Sequence, residues 1–348
     1  MTPQELVSHV YYGEPIIGLS FAGADLRGLL LAGGIFQQAD FSHADLRGAD
    51  LRESVFDQCV FDHAMLSGAA LRGAMLHQCA AAHATFEDAV LRNANIVQCR
   101  LDHARMAGAD FNLGVIDRST LQQADLRRAV FDRSSLLGAD LTGAAFDGAT
   151  LTQTTLSSCL AAHSTWEGAR LSITAFHQMD LAGHRFAGMS LPRCQFLDSR
   201  LDGADFSDAV IRQCNFTGAQ LDGANFARAR AAFALFPQVR AERCSFSEAE
   251  LNNAIFAGAT LAGCRFDRAV LQQAIFSDAD LRGSLFNHAD LTYADFSRAV
   301  LEDADLRGAA MPRANLHAVR DDRAQYTDRA RALGTDPVRA RAEQWQPA

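Results

Sequence analysis

Lysine is absent from this 348-residue chain, so all 32 of its basic residues are arginine. No apolar run reaches 18 residues, which excludes a membrane-spanning helix. The start of the chain carries Glu5 and no basic segment, so a secretory leader is not expected. No Cys-x-x-Cys occurs, and the spacings between the eight cysteines are all multiples of five. They read as small buried hydrophobes rather than as zinc ligands, and reduced thiols fit a cytoplasmic protein. Disulfide bridging among Cys59, Cys79 and Cys99, each 20 residues from the next, stays open. Nucleophile elbow, phosphate loop, dinucleotide fingerprint and His-Glu-x-x-His are missing as well, so the chain is not expected to be an enzyme and calls for no cofactor. A net charge of −9 without a basic, aromatic-interleaved patch argues against direct nucleic-acid binding. No amphipathic basic helix supports attachment to a membrane surface.

What is present is a beat of five. From Phe21 to Leu316 every fifth residue is apolar, sixty in a row without an insertion, and 22 of the 23 phenylalanines fall on these centres. The exception is Phe233. Two places before each centre stands a partner position, usually Ala, which also holds all eight cysteines. Neither a helix nor a single strand keeps a period of five on one face. A short fixed period over hundreds of residues implies a solenoid whose turns stack.

The motif, as in Ala39-Asp40-Phe41-Ser42-His43 or Ala124-Asp125-Leu126-Arg127-Arg128, resembles that of the pentapeptide-repeat family. The resemblance implies an all-β fold, a right-handed quadrilateral β-helix with four pentapeptides per coil and short α-helical N- and C-terminal caps. Centre and partner would point inward and the other three residues outward. Residues 16–316 would then form about 15 coils at a rise of about 4.8 Å each. Residues 1–15 read as a capping helix with a Thr2-x-x-Glu5 box and Pro3 at its first turn. Residues 317–348 read as a helical C-terminal cap, one helix over 320–333 and a second after Asp336-Pro337. Bulky partners Met179, His184 and Met189 predict widening or bending near 174–191. Val239, small centres Ala231 and Ala241, and Pro237 predict a kink or bulge at 229–243.

At 20 residues per coil, residues 20 apart form ladders. His43, His63, His83 and His103 form one, with the spacing of a weak candidate metal site; duplication of a coil explains the same pattern. The face centred on Phe36, Phe56 and Leu76 is poor in charge. Its outward residues Ile35, Val55, Met75 and Val97, and later Leu235, Ile255 and Ile275, make it the leading candidate for a protein contact. Phe233, Tyr326, Leu333 and Trp345 join the candidate interface residues. Such contacts would hold a partner protein or a second copy, through the apolar face or the C-terminal helices.

The expected function is a non-catalytic protein-interaction scaffold or adaptor. The start Glu5-Leu6-Val7 to Gly13-Glu14-Pro15-Ile16, followed by repeats, is similar to pentapeptide proteins found beside bacterial secretion machinery, type VI loci included. The family also implies an alternative: a DNA mimic that binds and modulates or protects a type II topoisomerase. Charge speaks against that alternative. Duplex DNA carries about one charge per 1.7 Å, whereas acids and arginines are intermixed along these repeats.

Overall fold

The computed structural model describes residues 1–345. It divides into two compact units, Met1–Asp180 and Leu181–Ala348, each a stack of 20-residue coils.

In the first unit, helix α1 (Pro3–Tyr11) starts with Thr2 as its cap. Glu5 N–H donates to Thr2 Oγ1 at 3.3 Å and Thr2 N–H to Glu5 Oε2 at 2.7 Å, while Leu6 and Val10 are buried. Nine short strands follow on one face, from Ile16–Ile17 through Ile35–Gln37 and Val55–Asp57 to Ala175–His177, joined in a single parallel sheet. Register is 20 residues throughout, with Phe36 opposite Phe56 and Phe56 opposite Leu76. The other faces are linked mainly by single bridges such as Asp40 to Val60 and Asp45 to Met65.

The backbone explains the period. Each bend uses four of its five amides in a fixed way, the first being Asp40 N–H, which donates to Leu19 O in the preceding coil (2.9 Å). Phe41 N–H donates to Val60 O in the next coil (2.7 Å), His43 N–H to Asp62 O (3.0 Å), and Ala44 N–H closes the bend on Phe41 O (3.0 Å). The residue just after a centre donates to none of these backbone acceptors. Where Asp precedes the centre its carboxylate takes that spare amide, as Asp40 does for Ser42 (2.9 Å) and Asp125 for Arg127 (3.1 Å). This accounts for Asp in the repeat. It also accounts for Pro192, Pro237 and Pro312, which occupy that same position and forfeit nothing by lacking an N–H.

Two places after a centre, φ is positive at every such position from Gly18 to Arg323, glycine or not. Forty-one residues other than glycine share this left-handed conformation. Inside the coils the rings stack: Phe36 on Phe56 and Phe41 on Phe61 at 5.0 Å, Phe111 on Phe131 at 4.8 Å.

The second unit repeats this construction. Two phenylalanine columns, Phe206 to Phe286 and Phe216 to Phe296, stack in steps of 4.8–5.0 Å and meet edge to face. The irregularity expected at 229–243 is not there. Phe236 stacks on Phe216 and on Phe256 at 4.8 Å each, and Ala231, Val239 and Ala241 are all buried. The extra bulk of Val239 is offset by alanine at the adjoining centre, and Pro237 sits where no amide is needed. The stretch 174–191 falls in both units; Met179 and His184 point inward and Met189 is half-buried.

The helix expected over 320–333 is also corrected. Residues 320–326 continue the coil, with Leu306 paired to Tyr326, and a single 3-10 turn follows at Arg329–Arg331. Asp321 occupies a centre position, so the apolar beat stops there while the backbone pairing goes on. Leu333 then bridges Asn315, and helix α2 (Pro337–Gln344) is capped by Asp336. Buried His317 ties this end down. Its Nδ1 accepts Asp336 N–H at 3.1 Å, so Nε2 carries the proton donated to Glu343 at 3.0 Å.

Candidate protein-interaction faces

Four imidazoles, His43, His63, His83 and His103, are exposed and stacked with centroids 4.8, 5.0 and 4.8 Å apart and planes within 6° of parallel. Ring lone pairs lie in the ring plane, so parallel rings point their nitrogens side by side rather than at one ion. Among the described residues no three His, Cys, Asp or Glu side chains converge as a metal set. Beside this ladder Gln38, Gln58, Gln78 and Gln98 pass amide hydrogen bonds along the axis at 3.2, 3.2 and 3.1 Å. Both ladders follow from identical residues repeated at the coil length.

Thiols and small hydroxyls at partner positions share one task, which the sequence pattern does not disclose. Cys59, Cys79 and Cys99 donate to the carbonyls of Phe36, Phe56 and Leu76, each at 3.4 Å and each 23 residues back. Ser54, Ser134 and Ser284 do the same toward Leu31, Phe111 and Leu261 at 2.7–2.8 Å. All eight cysteines are buried, and none is in a disulfide. Burial pushes the thiols of Cys159 and Cys214 up from their ordinary value. The bridging left open for Cys59, Cys79 and Cys99 is not formed.

Charge is neutralised locally. In each Asp-Leu-Arg repeat the guanidinium turns back on the preceding carboxylate through Nε and Nη2, at 2.8 and 2.6 Å for Arg27 on Asp25 and 2.7 and 2.6 Å for Arg127 on Asp125. The contact holds Asp25 down at about 2 and lowers Asp125. Lysine has no planar fork to make this bond, which gives arginine a physical advantage here. Other pairs run between coils, Arg228 to Asp208 and Arg298 to Asp278.

Of the residues singled out for contact, Ile35, Met75 and Phe233 are exposed, at 36%, 49% and 54%. Val55, Val97, Leu235, Ile255 and Ile275 are half-buried and outward. Leu333 and Trp345 are exposed, Trp345 at 73%, and so is Val338 of α2. Tyr326 is occupied inside the chain: its hydroxyl donates to Asp321 (2.9 Å), Arg329 lies over its ring, and burial raises its phenol.

The second unit also contains a band that sequence reading resolves only in part. On the face of Phe216, Phe236 and Phe256, outward residues from Gln213 through Leu235, Pro237 and Ile255 to Ser277 carry no charge. Phe233 and Tyr293, at the adjoining corner, border it with exposed rings. Interruption of charge over consecutive coils is the signal that residue-by-residue patterning passes over.

Two family models match this arrangement: a pentapeptide repeat region over residues 19–106, and pentapeptide repeats (8 copies) over 117–157, 169–208, 204–240, 244–283 and 279–317. The chain belongs to the pentapeptide-repeat family. No curated protein matches it in sequence. Among solved structures of pentapeptide-repeat proteins, HetL, involved in heterocyst differentiation regulation in the cyanobacterium Nostoc, is 20% identical with a TM-score of 0.24. That match covers 97% of this chain and 98% of HetL. QnrB1, a plasmid-mediated fluoroquinolone resistance protein, is 19% identical with a TM-score of 0.26, covering 73% of this chain and 97% of its own. Likenesses this distant say nothing about what this pentapeptide-repeat protein binds.

Proposed function

We propose that this pentapeptide-repeat protein is a non-catalytic docking scaffold of the bacterial cytoplasm whose charge-free face is a protein-docking surface. The observation that carries this reading is the uncharged band around Leu235, Ile255 and Ile275, edged by the exposed ring of Phe233. An uncharged surface that repeats an outward apolar residue in successive coils is the kind of patch that marks an interaction site. The setting we favour is accessory to a secretion machine of the type VI kind, loading or adapting its cargo. The test compares proteins retained by the wild type with those retained by an Ile255→Glu, Ile275→Glu double variant of unchanged circular dichroism. The docked protein should be lost from the variant, and an identical profile would reject the face. Loss of type VI secretion on deleting the gene, restored by the wild-type chain, is the matching test of the setting.

Topoisomerase mimicry is the competing reading. Against it stands the pairing of Asp25, Asp45, Asp50 and Asp125 with arginines one bond network away, which breaks up any continuous negative strip. A gyrase supercoiling assay at micromolar protein should show neither inhibition nor protection from inhibitors.

A further inference from the structure

We infer that the uncharged band of the second unit is a self-association surface, on which a second copy of this chain lies antiparallel across Ile255. The inference rests on the docking reading of that face and names its occupant. Two features lead to it.

The first is charge. The chain carries a net charge of −9, so two copies repel wherever their charged faces meet. On the face of Phe216, Phe236 and Phe256, the fifteen outward positions from Gln213 to Ser277 are uncharged. The first acid beyond them at the corner, Asp278, is already bound to Arg298 at 2.7 Å. With the neighbouring coil at either end, this approaches the roughly 20–30 residues a side of a standard interface. It suits a reversible dimer rather than an obligate one.

The second is self-complementarity, which a two-fold contact requires. Leu235, Ile255 and Ile275 are evenly spaced, one coil apart. A two-fold at Ile255, perpendicular to the stacking axis, places Leu235 against Ile275 of the partner subunit and Phe233 beside Gln273 of the partner subunit. Two coils out, it places Asn215 against Asp295 of the partner subunit. Those two groups suit each other. Asn215 uses its Oδ1 internally, accepting from Thr217 N–H (2.9 Å) and Oγ1–H (2.5 Å), which leaves its amide NH2 to donate. Asp295 accepts Ser297 N–H (2.9 Å) and Asn315 Nδ2–H (2.8 Å) on Oδ1, while Oδ2 has no hydrogen-bond partner among the described residues. A parallel pairing would instead set Asp295 against its own copy, like charge on like.

Sedimentation equilibrium over a concentration series tests this on the full chain. The wild type should show a reversible monomer–dimer equilibrium that tightens with added salt, because screening weakens the repulsion between like-charged copies. Asn215→Asp should weaken dimerisation by about tenfold, and Asn215→Asp combined with Asp295→Asn should restore it, a rescue that misfolding could not produce. The native thiols are buried, so Ile255→Cys supplies an accessible one. It should give a reducible covalent dimer on mild oxidation, while Leu160→Cys, exposed in the first unit, should not. A wild type that stays monomeric at the highest soluble concentration overturns the inference, even if Ile255→Glu still strips a bound protein and so leaves the docking reading standing. A dimer indifferent to both Asn215→Asp and Ile255→Glu overturns it too.

Discussion

The thiol of Cys59 donates to the carbonyl oxygen of Phe36, 3.4 Å away and 23 residues earlier in the chain. It bonds to the large residue at the centre of the preceding coil, so a partner side chain ties one coil to the next. Cys59→Ser should keep the bond, since Ser54 and Ser134 already make it. Cys59→Ala should lose about 1 kcal/mol, the usual net worth of such a bond. Urea denaturation of the two variants gives the comparison; equal midpoints would mean that the thiol acts only as volume.

Phe131 is completely buried and stacks on Phe111 at 4.8 Å. Phe131→Ser should cost about 3–5 kcal/mol through the cavity and the poorly satisfied hydroxyl left behind. Thermal or chemical unfolding measures it. A loss below about 1 kcal/mol is incompatible with an inward-facing centre carrying this much packing.

Ile173 has φ +54°, in the left-handed region that β-branched residues avoid, and its side chain is 38% exposed. Replacing it removes strain at little loss of packing. Ile173→Asn should raise stability by about 1 kcal/mol, read as an increase in Tm. A decrease would show that Ile173 contributes more by contact than its backbone costs.

Asp305 is nearly buried, and Arg307 binds it through two nitrogens at 2.9 and 2.7 Å, holding its carboxyl down at about 2 against an ordinary 3.8. A carboxyl lowered on folding stabilises the native state in its charged form. That contribution is fully present above about pH 4 and disappears as pH falls through about 2. The stability difference between wild type and Asp305→Asn should therefore be flat from neutral pH to about 4 and shrink below it. Acid titration followed by circular dichroism, with both proteins, checks the sign and the window.

The outward positions of the candidate faces were legible from spacing. Ile35, Met75 and Phe233 were readable as outward because each falls off the centre and partner positions, and all three are exposed. Tyr326 reads from the sequence as an interface candidate because Asp321 ends the apolar beat, so the tyrosine that follows looks like part of a separate helix. Its engagement with Asp321 and Arg329 depends on a coil that continues without an apolar centre. Val239 and Pro237 suggested a bulge because each is unusual alone; together with Ala241 and a spare amide position they cancel.

The sequence by itself determined the coil. A period of five repeated sixty times leaves one way to share an interior, and the side chains that face it follow from sterics and hydrophobicity within each repeat. Only the tertiary structure decided what stands on what. The bond from Cys59 to Phe36 and the closure of the end by His317 on Glu343 join residues 23 and 26 apart. Those partnerships exist because the backbone ladder fixes the rise and register of successive coils. No local preference of the residues involved encodes that.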